Sequence, residues 1–361
     1  MVDTMVRIDR RVLEAFCSGV FRTLGLSDED SRIAAEVLVV ADAMGIPSHG
    51  VARIERYVEG LRTGLMVPHA EEETLTESPS SLVVDAHGGM GAPVAARSMR
   101  RLIEKAKSAG SAFGCVRDSN HFGIAGYYAR MALAEDMIGI AATNTAALGV
   151  PTFGSAAMFG TNPFAFAAPA GEERAFVLDM STTVVTRGKV EVYERSGKTL
   201  PEGWSVDGSG RSTHDAAGVL EGLQHRTGGG ILPLGGLGTA LGGHKGYGLA
   251  VMVDILCAVL SGAPSGPAVY DTPTSSARVS HFFGAIRISS FRDPVEFRRD
   301  MDAMLAELRA TPPAQGEERV LYAGLPESER ESESDRLGVP LSEPVFAKLV
   351  RIGKELGLPK L

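Results

Sequence analysis

Residues 81–117 read SLVVDAHGGMGAPVAARSMRRLIEKAKSAGSAFGCVR, and the fold class turns on this stretch. Ser81–Ala86 is a short β-branched run that suits a strand. Gly88, Gly89 and Gly91 break it, and Pro93–Ala109 reads as a helix. Ser111–Arg117 returns to a strand pattern. Strand, glycine turn, helix and strand make one βαβ unit, and similar alternation continues downstream. A helix is predicted over Phe122–Glu135 and strands over Ile138–Thr143, Phe164–Ala168 and Ala175–Asp179. Glycine-rich loops run from Gly203 to Gly243. A long apolar helix, Tyr247–Ser261, and a last strand, Phe282–Ile288, follow. The expected core is therefore α/β. Upstream, Asp9–Leu24 places Leu13, Phe16 and Val20 on one helical face. Ser27 before Asp28-Glu29-Asp30 signals the start of the next helix, Ser31–Met44, which stops at Gly45. A third helix spans Val51–Thr63. From Pro294 onward the chain reads as helical and charged, returning onto the N-terminal helices. Within it Glu327–Asp335 (ESERESESD) reads as a solvated face or loop.

The 361 residues carry a formal net charge of −8 without a basic cluster, which argues against a nucleic-acid binder. The three cysteines, Cys17, Cys115 and Cys257, are far apart, so neither a disulfide framework nor a zinc site is expected. The longest apolar stretch, Leu249–Leu260, contains Asp254 and falls short of the ~20 residues a bilayer span needs. The N-terminus lacks the apolar segment of a secretion signal, and a cytoplasmic location is expected.

Five stretches carry chemistry. Gly89-Met90-Gly91-Ala92-Pro93-Val94 nearly matches a dinucleotide fingerprint, but Val94 replaces the third glycine that lets helix and strand pack closely. Gly236–Gly242 fits no better, so a nicotinamide cofactor needs another cradle. Ser48, His49 and Arg53 bring a hydroxyl, an imidazole and a guanidinium to one turn. Such a set suits proton transfer beside a carboxylate, or a plainly capped helix start. Ser119-Asn120-His121-Phe122-Gly123 ends a strand and opens a glycine-rich helix, where His121 is either a ligand contact or a structural histidine. Asp179-Met180-Ser181-Thr182-Thr183 offers hydroxyls after a strand, with Lys189 a cation beyond them. Gly242–Gly248, with His244 and Lys245, opens the long apolar helix, as an anion contact or an exposed turn.

Taken together these stretches resemble the second type of malate/L-lactate dehydrogenases, unrelated to the Rossmann-fold enzymes. The resemblance rests on SHGVARIERYVEG (48–60), SNHFGIAGYYA (119–129), FGTNPFAFAAP (159–169), LPEGWSVD (200–207) and LPLGGLGTALGGHKGYGLAVMVDIL (232–256). The wording is nearest to the archaeal-type malate dehydrogenases. It implies an α/β (α+β) fold of the L-sulfolactate dehydrogenase type. A non-Rossmann NAD(P)-binding domain over 76–294 then joins a helical domain built from 1–75 and 295–361. It also implies a homodimer acting on a small 2-hydroxy or 2-oxo acid with NAD or NADP, without a metal, nucleic-acid or membrane partner.

The resemblance assigns roles residue by residue. His49 is the proton donor and acceptor, Ser48 its relay partner and Lys189 the residue completing the set. His121 is a second candidate base. Arg53 holds the substrate carboxylate and Thr145 contacts substrate. His121, Gly123, Asp179, Met180, Ser181, Thr182, Thr183, His244, Lys245, Gly324, Leu325 and Pro326 contact the cofactor. Three departures stand out. Asp-Met-Ser-Thr-Thr replaces the usual Asp-Met-Ala-Thr-Ser, Leu325 replaces a glutamate, and Gly154-Ser155 replaces a glycine pair. Malate is the favoured substrate. The alternatives are L-lactate, sulfolactate or ureidoglycolate oxidation, cyclic imino-acid reduction, and a catalytically silent NAD(P)-binding dimer. Lys189 argues against the imino-acid reading, since a protonated imine disfavours a nearby cation. The Ser48–His49–Arg53–Lys189 set argues against the silent one.

Overall fold

The computed structural model describes residues 5–272 and 274–361. The chain opens with β1 (Met5–Ile8), α1 (Arg10–Thr23) and α2 (Asp28–Ala43), then a 3-10 turn at Val51–Arg53 leading into α3 (Ile54–Thr63). Side-chain caps set these helices. Asp9 accepts the Arg11 and Val12 N–H groups, and Ser27 accepts the N–H of Asp30. Gly64, at φ 76°, closes α3 in the left-handed region.

The next part holds β2 (Glu73–Ser78), β3 (Ser81–Asp85), α4 (Gly91–Ala109), β4 (Ser111–Ser119), α5 (Ala125–Arg130), β5 (Met137–Thr143), β6 (Phe164–Ala168) and β7 (Phe176–Met180). A small unit follows, built from α6 (Arg187–Arg195), β8 (Ser205–Val206), α7 (Ala216–His225) and β9 (Gly230–Ile231). Then come α8 (Gly243–Asp254), β10 (Val279–Arg287), α9 (Pro294–Ala310), α10 (Leu325–Leu337), β11 (Val339–Ser342) and α11 (Glu343–Glu355).

Seven strands form one sheet in the order β2-β3-β4-β10-β5-β6-β7. Only β3 and β4, the pair in the stretch that opens the sequence reading, run parallel. Every other neighbour pair in this sheet is antiparallel. The α/β expectation therefore holds as a mixed sheet with a single βαβ unit. β10 returns from far along the chain and inserts between β4 and β5. It is buried over residues 279–285, as a central strand should be.

One core lies between α4 and the sheet, with Val84, Met99, Leu102, Tyr128 and Phe283 inside it. A second joins Leu13, Phe21, Leu38 and Ile54 to Val339, Leu349 and Ile352. The chain from Pro294 onward is thus not one packing unit. β11 and α11 lie with the N-terminal helices, whereas Leu305 of α9 packs with Tyr322, Leu325 and Phe176 beside β7.

The acidic run is a largely solvated helix face, as expected, with arginine partners the sequence did not reveal. Residues 327–335 belong to α10, and their carboxylates face arginines rather than water alone. Asp335 pairs with Arg10 at 2.8 Å, Glu333 with Arg7 at 2.6 Å, and Glu331 with Arg130 at 2.8 Å. Ser334 is buried and donates to the Ala43 carbonyl at 3.0 Å. Each exposed pair adds little stability, but together they fix where α10 docks. Among the described residues no helix is long and apolar enough to cross a membrane.

One buried side chain ties the centre of the sheet. His281 on β10 is 0% exposed. Its Nδ1 shares a hydrogen bond with the Thr143 hydroxyl at 2.8 Å, and its Nε2 one with the Ser119 hydroxyl at 2.9 Å. It stacks on Phe122 at 4.4 Å. His281→Ala strands the buried Ser119 hydroxyl, takes one partner from the Thr143 hydroxyl, which keeps its backbone carbonyls, and opens a cavity. It should lower stability by about 3 kcal/mol, read as a fall in melting temperature at fixed scan rate. An unchanged melting temperature would contradict this role.

Candidate active site

Two loops meet here. The first leaves α2 at Ala43 and turns through Gly45, at φ 75°. The His49 N–H donates to the Ile46 carbonyl at 3.1 Å, and Arg53 Nε donates to the Ser48 carbonyl at 2.7 Å. The Ser48 hydroxyl lies 2.9 Å from His49 Nδ1. Arg53 leads into α3, and Tyr57 follows one turn later on the same face.

The second loop leaves β4 at Ser119. Asn120 donates its amide to the Gly88 and Gly89 carbonyls at 2.9 and 3.0 Å. A Cβ on Gly91 would overlap the Asn120 carbonyl. The glycine turn before α4 is therefore filled by protein, which explains why its fingerprint is incomplete. His121 then lies against the first loop. Its ring stacks on His49 with centroids 5.5 Å apart and planes 20° apart. Its Nδ1 receives the Gly123 N–H at 3.3 Å and lies 2.6 Å from the buried Tyr57 hydroxyl. A backbone N–H can only donate, so Nδ1 is the acceptor and Tyr57 donates to it. In the neutral ring the proton then sits on Nε2.

Both imidazoles are held neutral. Desolvation, and then the Arg53 charge, push His49 down to about 4. Desolvation, then His49 and Arg53, push His121 well below the usual histidine range. The Thr145 hydroxyl accepts the Thr161 N–H at 3.0 Å, and the Thr145 N–H donates to Asn162 at 3.2 Å. Thr145 and His121 each lie two residues past a hydroxyl bound to His281.

A narrow cleft of about 130 Å³ lies nearby, lined by Met44, Ile124, Val177, Asp179, Gly324 and Glu327. Asp179 accepts the Gly126 N–H at 2.6 Å through one oxygen. A Cβ on Gly324 would stand 2.8 Å from Val177, so glycine lets the backbone close this wall.

The sequence profile of the malate/L-lactate dehydrogenase family matches residues 8–350. The chain belongs to this family. It is 40% identical over 359 residues to a malate dehydrogenase of Pyrococcus horikoshii, covering 99% of this chain and 98% of that protein. It is 36% identical to the L-sulfolactate dehydrogenase of Methanocaldococcus jannaschii, covering 94% of each. The solved malate dehydrogenase of Entamoeba histolytica superposes with a TM-score of 0.94 at 30% identity over 99% of both chains. The protein is thus a nicotinamide-dependent dehydrogenase of small hydroxy acids.

The cleft suits part of such a cofactor. Asp179 keeps a free oxygen for a ribose hydroxyl, Glu327 supplies a second acceptor, and Ile124 and Val177 supply apolar wall. Other family positions fall differently. Leu325 is 5% exposed and packs with Leu305 and Tyr322, so its side chain points into the core. Glu327 lines the cleft and offers a carboxylate there. Thr182 donates to the Thr161 carbonyl at 3.0 Å, Thr183 to the Val185 carbonyl at 2.8 Å, and Ser181 to the Thr183 carbonyl at 2.9 Å. These hydroxyl protons brace the β7–α6 turn and are not free donors for a phosphate. Met180 ends β7 and Pro326 lies in the first turn of α10.

His244 and Lys245 are exposed and line a different cleft of about 430 Å³ with Leu234 and Leu241. Lys189 is exposed at the start of α6, its Nζ 5.9 Å from the Tyr193 ring centre. Among the described residues no hydrogen bond or ion pair joins it to His49, Ser48 or Arg53. The chain therefore brings together Ser48, His49, Arg53 and His121, and does not bond Lys189 to them.

Sequence reading missed Asp42, Tyr57, His281 and Glu327. Tyr57 had a signal, since 49, 53 and 57 share helical spacing. Tyr57→Phe keeps the ring and removes one neutral hydrogen bond to His121. It should lower kcat about 5-fold, with little change in melting temperature. Wild-type kcat in this variant would contradict the contact's role.

Proposed function

We propose that the protein is a malate dehydrogenase, moving a hydride between C2 of malate or oxaloacetate and NAD. The stacked pair of neutral histidines beside Arg53 carries this reading. Arg53 receives the substrate carboxylate through its guanidinium fork. When His49 Nδ1–H donates to Ser48, Nε2 presents a lone pair to the substrate hydroxyl and takes its proton. In the reverse direction the same atom returns it. His121 Nε2–H donates to the same oxygen, which makes His49 the acid/base and His121 the polarising partner. The nicotinamide, when bound, supplies or accepts the hydride. Lys189 is exposed and has no ion pair among the described residues, and we assign it to stabilising the oxygen from a second subunit.

Two finer points follow. The cleft holds Asp179 and Glu327, while its one cation, Arg130, is paired with Glu331 at 2.8 Å. An added ribose phosphate would meet two carboxylates, so NAD is favoured over NADP. Phe153, Leu241, Val259 and Leu260 are between 60% and 86% exposed, and large apolar side chains left in water support a second copy covering them. A homodimer would have a mass of about 76 kDa, twice 38.0 kDa.

The test is absorbance of reduced nicotinamide with a panel of 2-oxo acids. Oxaloacetate should be the fastest substrate, with a lower KM for NADH than for NADPH. Exclusive turnover of sulfopyruvate or a cyclic imine would move the substrate while keeping the site. His49→Ala should cut kcat by ~10²–10⁴-fold. Arg53→Lys should mainly raise KM for the 2-oxo acid. Wild-type kcat in the first or wild-type KM in the second would refute that residue's role.

A further inference from the structure

Val51 opens the 3-10 turn that leads into α3, and its N–H needs a partner from outside the turn. The residue before it, Gly50, has no side chain to supply a cap. The partner comes from another helix. Asp42, in the last turn of α2, is 3% exposed and accepts the Val51 N–H through Oδ2 at 2.7 Å. A Cβ on Gly50 would overlap the whole Asp42 carboxyl group, so this group lies flat against the backbone that carries His49.

We infer that Asp42 is a positioning residue for the reaction: its carboxylate caps the turn after His49 and thereby fixes where His49 and Ser48 stand. This rests on the reading that His49 and Ser48 act on the substrate oxygen. A negative acceptor at a helix start is stronger than a neutral one, through both the hydrogen bond and the helix dipole. The cap is therefore firm when Asp42 is charged and looser when it is neutral.

The surroundings make that charge adjustable. Burial pushes the Asp42 carboxyl up to about 7, against the opposing pull of the Val51 N–H. The charged and titratable groups around it come from several elements. Cys17 faces it from α1. Arg7 of β1 and Arg330 and Glu333 of α10 line the same cleft of about 500 Å³, and Arg7 pairs with Glu333. This cleft gives solvent a route to Asp42. His49 itself is held near 4 and burial pushes Asp179 of the cofactor cleft up to about 6, so a step in kcat near pH 7 is assigned to Asp42 and not to either of them.

The test uses Asp42→Asn, which keeps shape and an acceptor oxygen but never carries charge. Wild-type kcat should fall about 5-fold from pH 8 to pH 6, toward a neutral-form level about 10-fold below the charged one, with KM moving much less. Asp42→Asn should sit at the lower level throughout, without a step near pH 7. Asp42→Ala, which removes the acceptor, should fall below Asn, so that the conservative variant partly rescues. Ring resonances of ¹³C-histidine-labelled protein, with His49 assigned by its loss in His49→Asn, should step near pH 7 in wild type and not in Asp42→Asn. A step near pH 7 that persists in Asp42→Asn, in kcat and in the His49 resonance, would overturn the proposal. So would equal kcat at pH 8 in all three proteins. Full turnover by His49→Ala would instead defeat the underlying reading, and the resonance arm would then decide the role of Asp42 alone.

Discussion

The insertion of β10 between β4 and β5 is the constraint on which the rest of the structure depends. It joins residues far apart in the chain through two antiparallel ladders and one buried imidazole. With a ring nitrogen committed to each side, His281 has no room to tilt. Ser119 and Thr143 are held at the ends of adjoining strands, and the loops carrying His121 and Thr145 start from fixed points. His281 is pushed down to about 3 by burial, so it stays neutral and acts as a spacer.

The other half of the site arrives on the helical side and meets the loop that leaves β4. Tyr57 and the stacked His49–His121 pair form the seam. Two imidazoles at this separation, beside a guanidinium, do not both take protons, because each charge would repel the next in a poorly solvated place. That cost makes the pair useful. One ring is left free to take a proton from a hydroxyl, and the other is oriented by Tyr57 and Gly123 as a donor. In the proposed reaction Arg53 supplies the charge a carboxylate needs, and that charge adds to desolvation in holding His49 unprotonated, so one residue would serve binding and chemistry together.

What was legible in the sequence follows from what is local. The β3–α4–β4 unit has a strand period, a glycine break and a helix period in consecutive residues, and it folded as read. Ser48, His49 and Arg53 are close in sequence and met in space. A strand was legible over 282–288, where β10 spans 279–287, but nothing within it names its neighbours, so the antiparallel insertion was not. Hydroxyls at 181–183 suggested free donors. Only the fold reveals that their protons go to backbone carbonyls. The acidic run at 327–335 looked solvated because its arginine partners, Arg7, Arg10 and Arg130, lie hundreds of residues away. Leu325 stood among the expected cofactor contacts, although it replaces a glutamate. Packing turns it inward, and Glu327 stands in the cleft. Asp42 was hidden in the run Val37–Ala43 of α2, where a single acid among apolar residues is easily passed over.

The most direct test of the account is the structure of the protein with NADH and oxamate, an unreactive 2-oxo acid analogue. The account predicts the oxamate carboxylate on Arg53 and its 2-oxo oxygen within hydrogen-bond distance of both His49 Nε2 and His121 Nε2. Oxamate bound away from this pair, or its carboxylate held by another cation with Arg53 uninvolved, would contradict it.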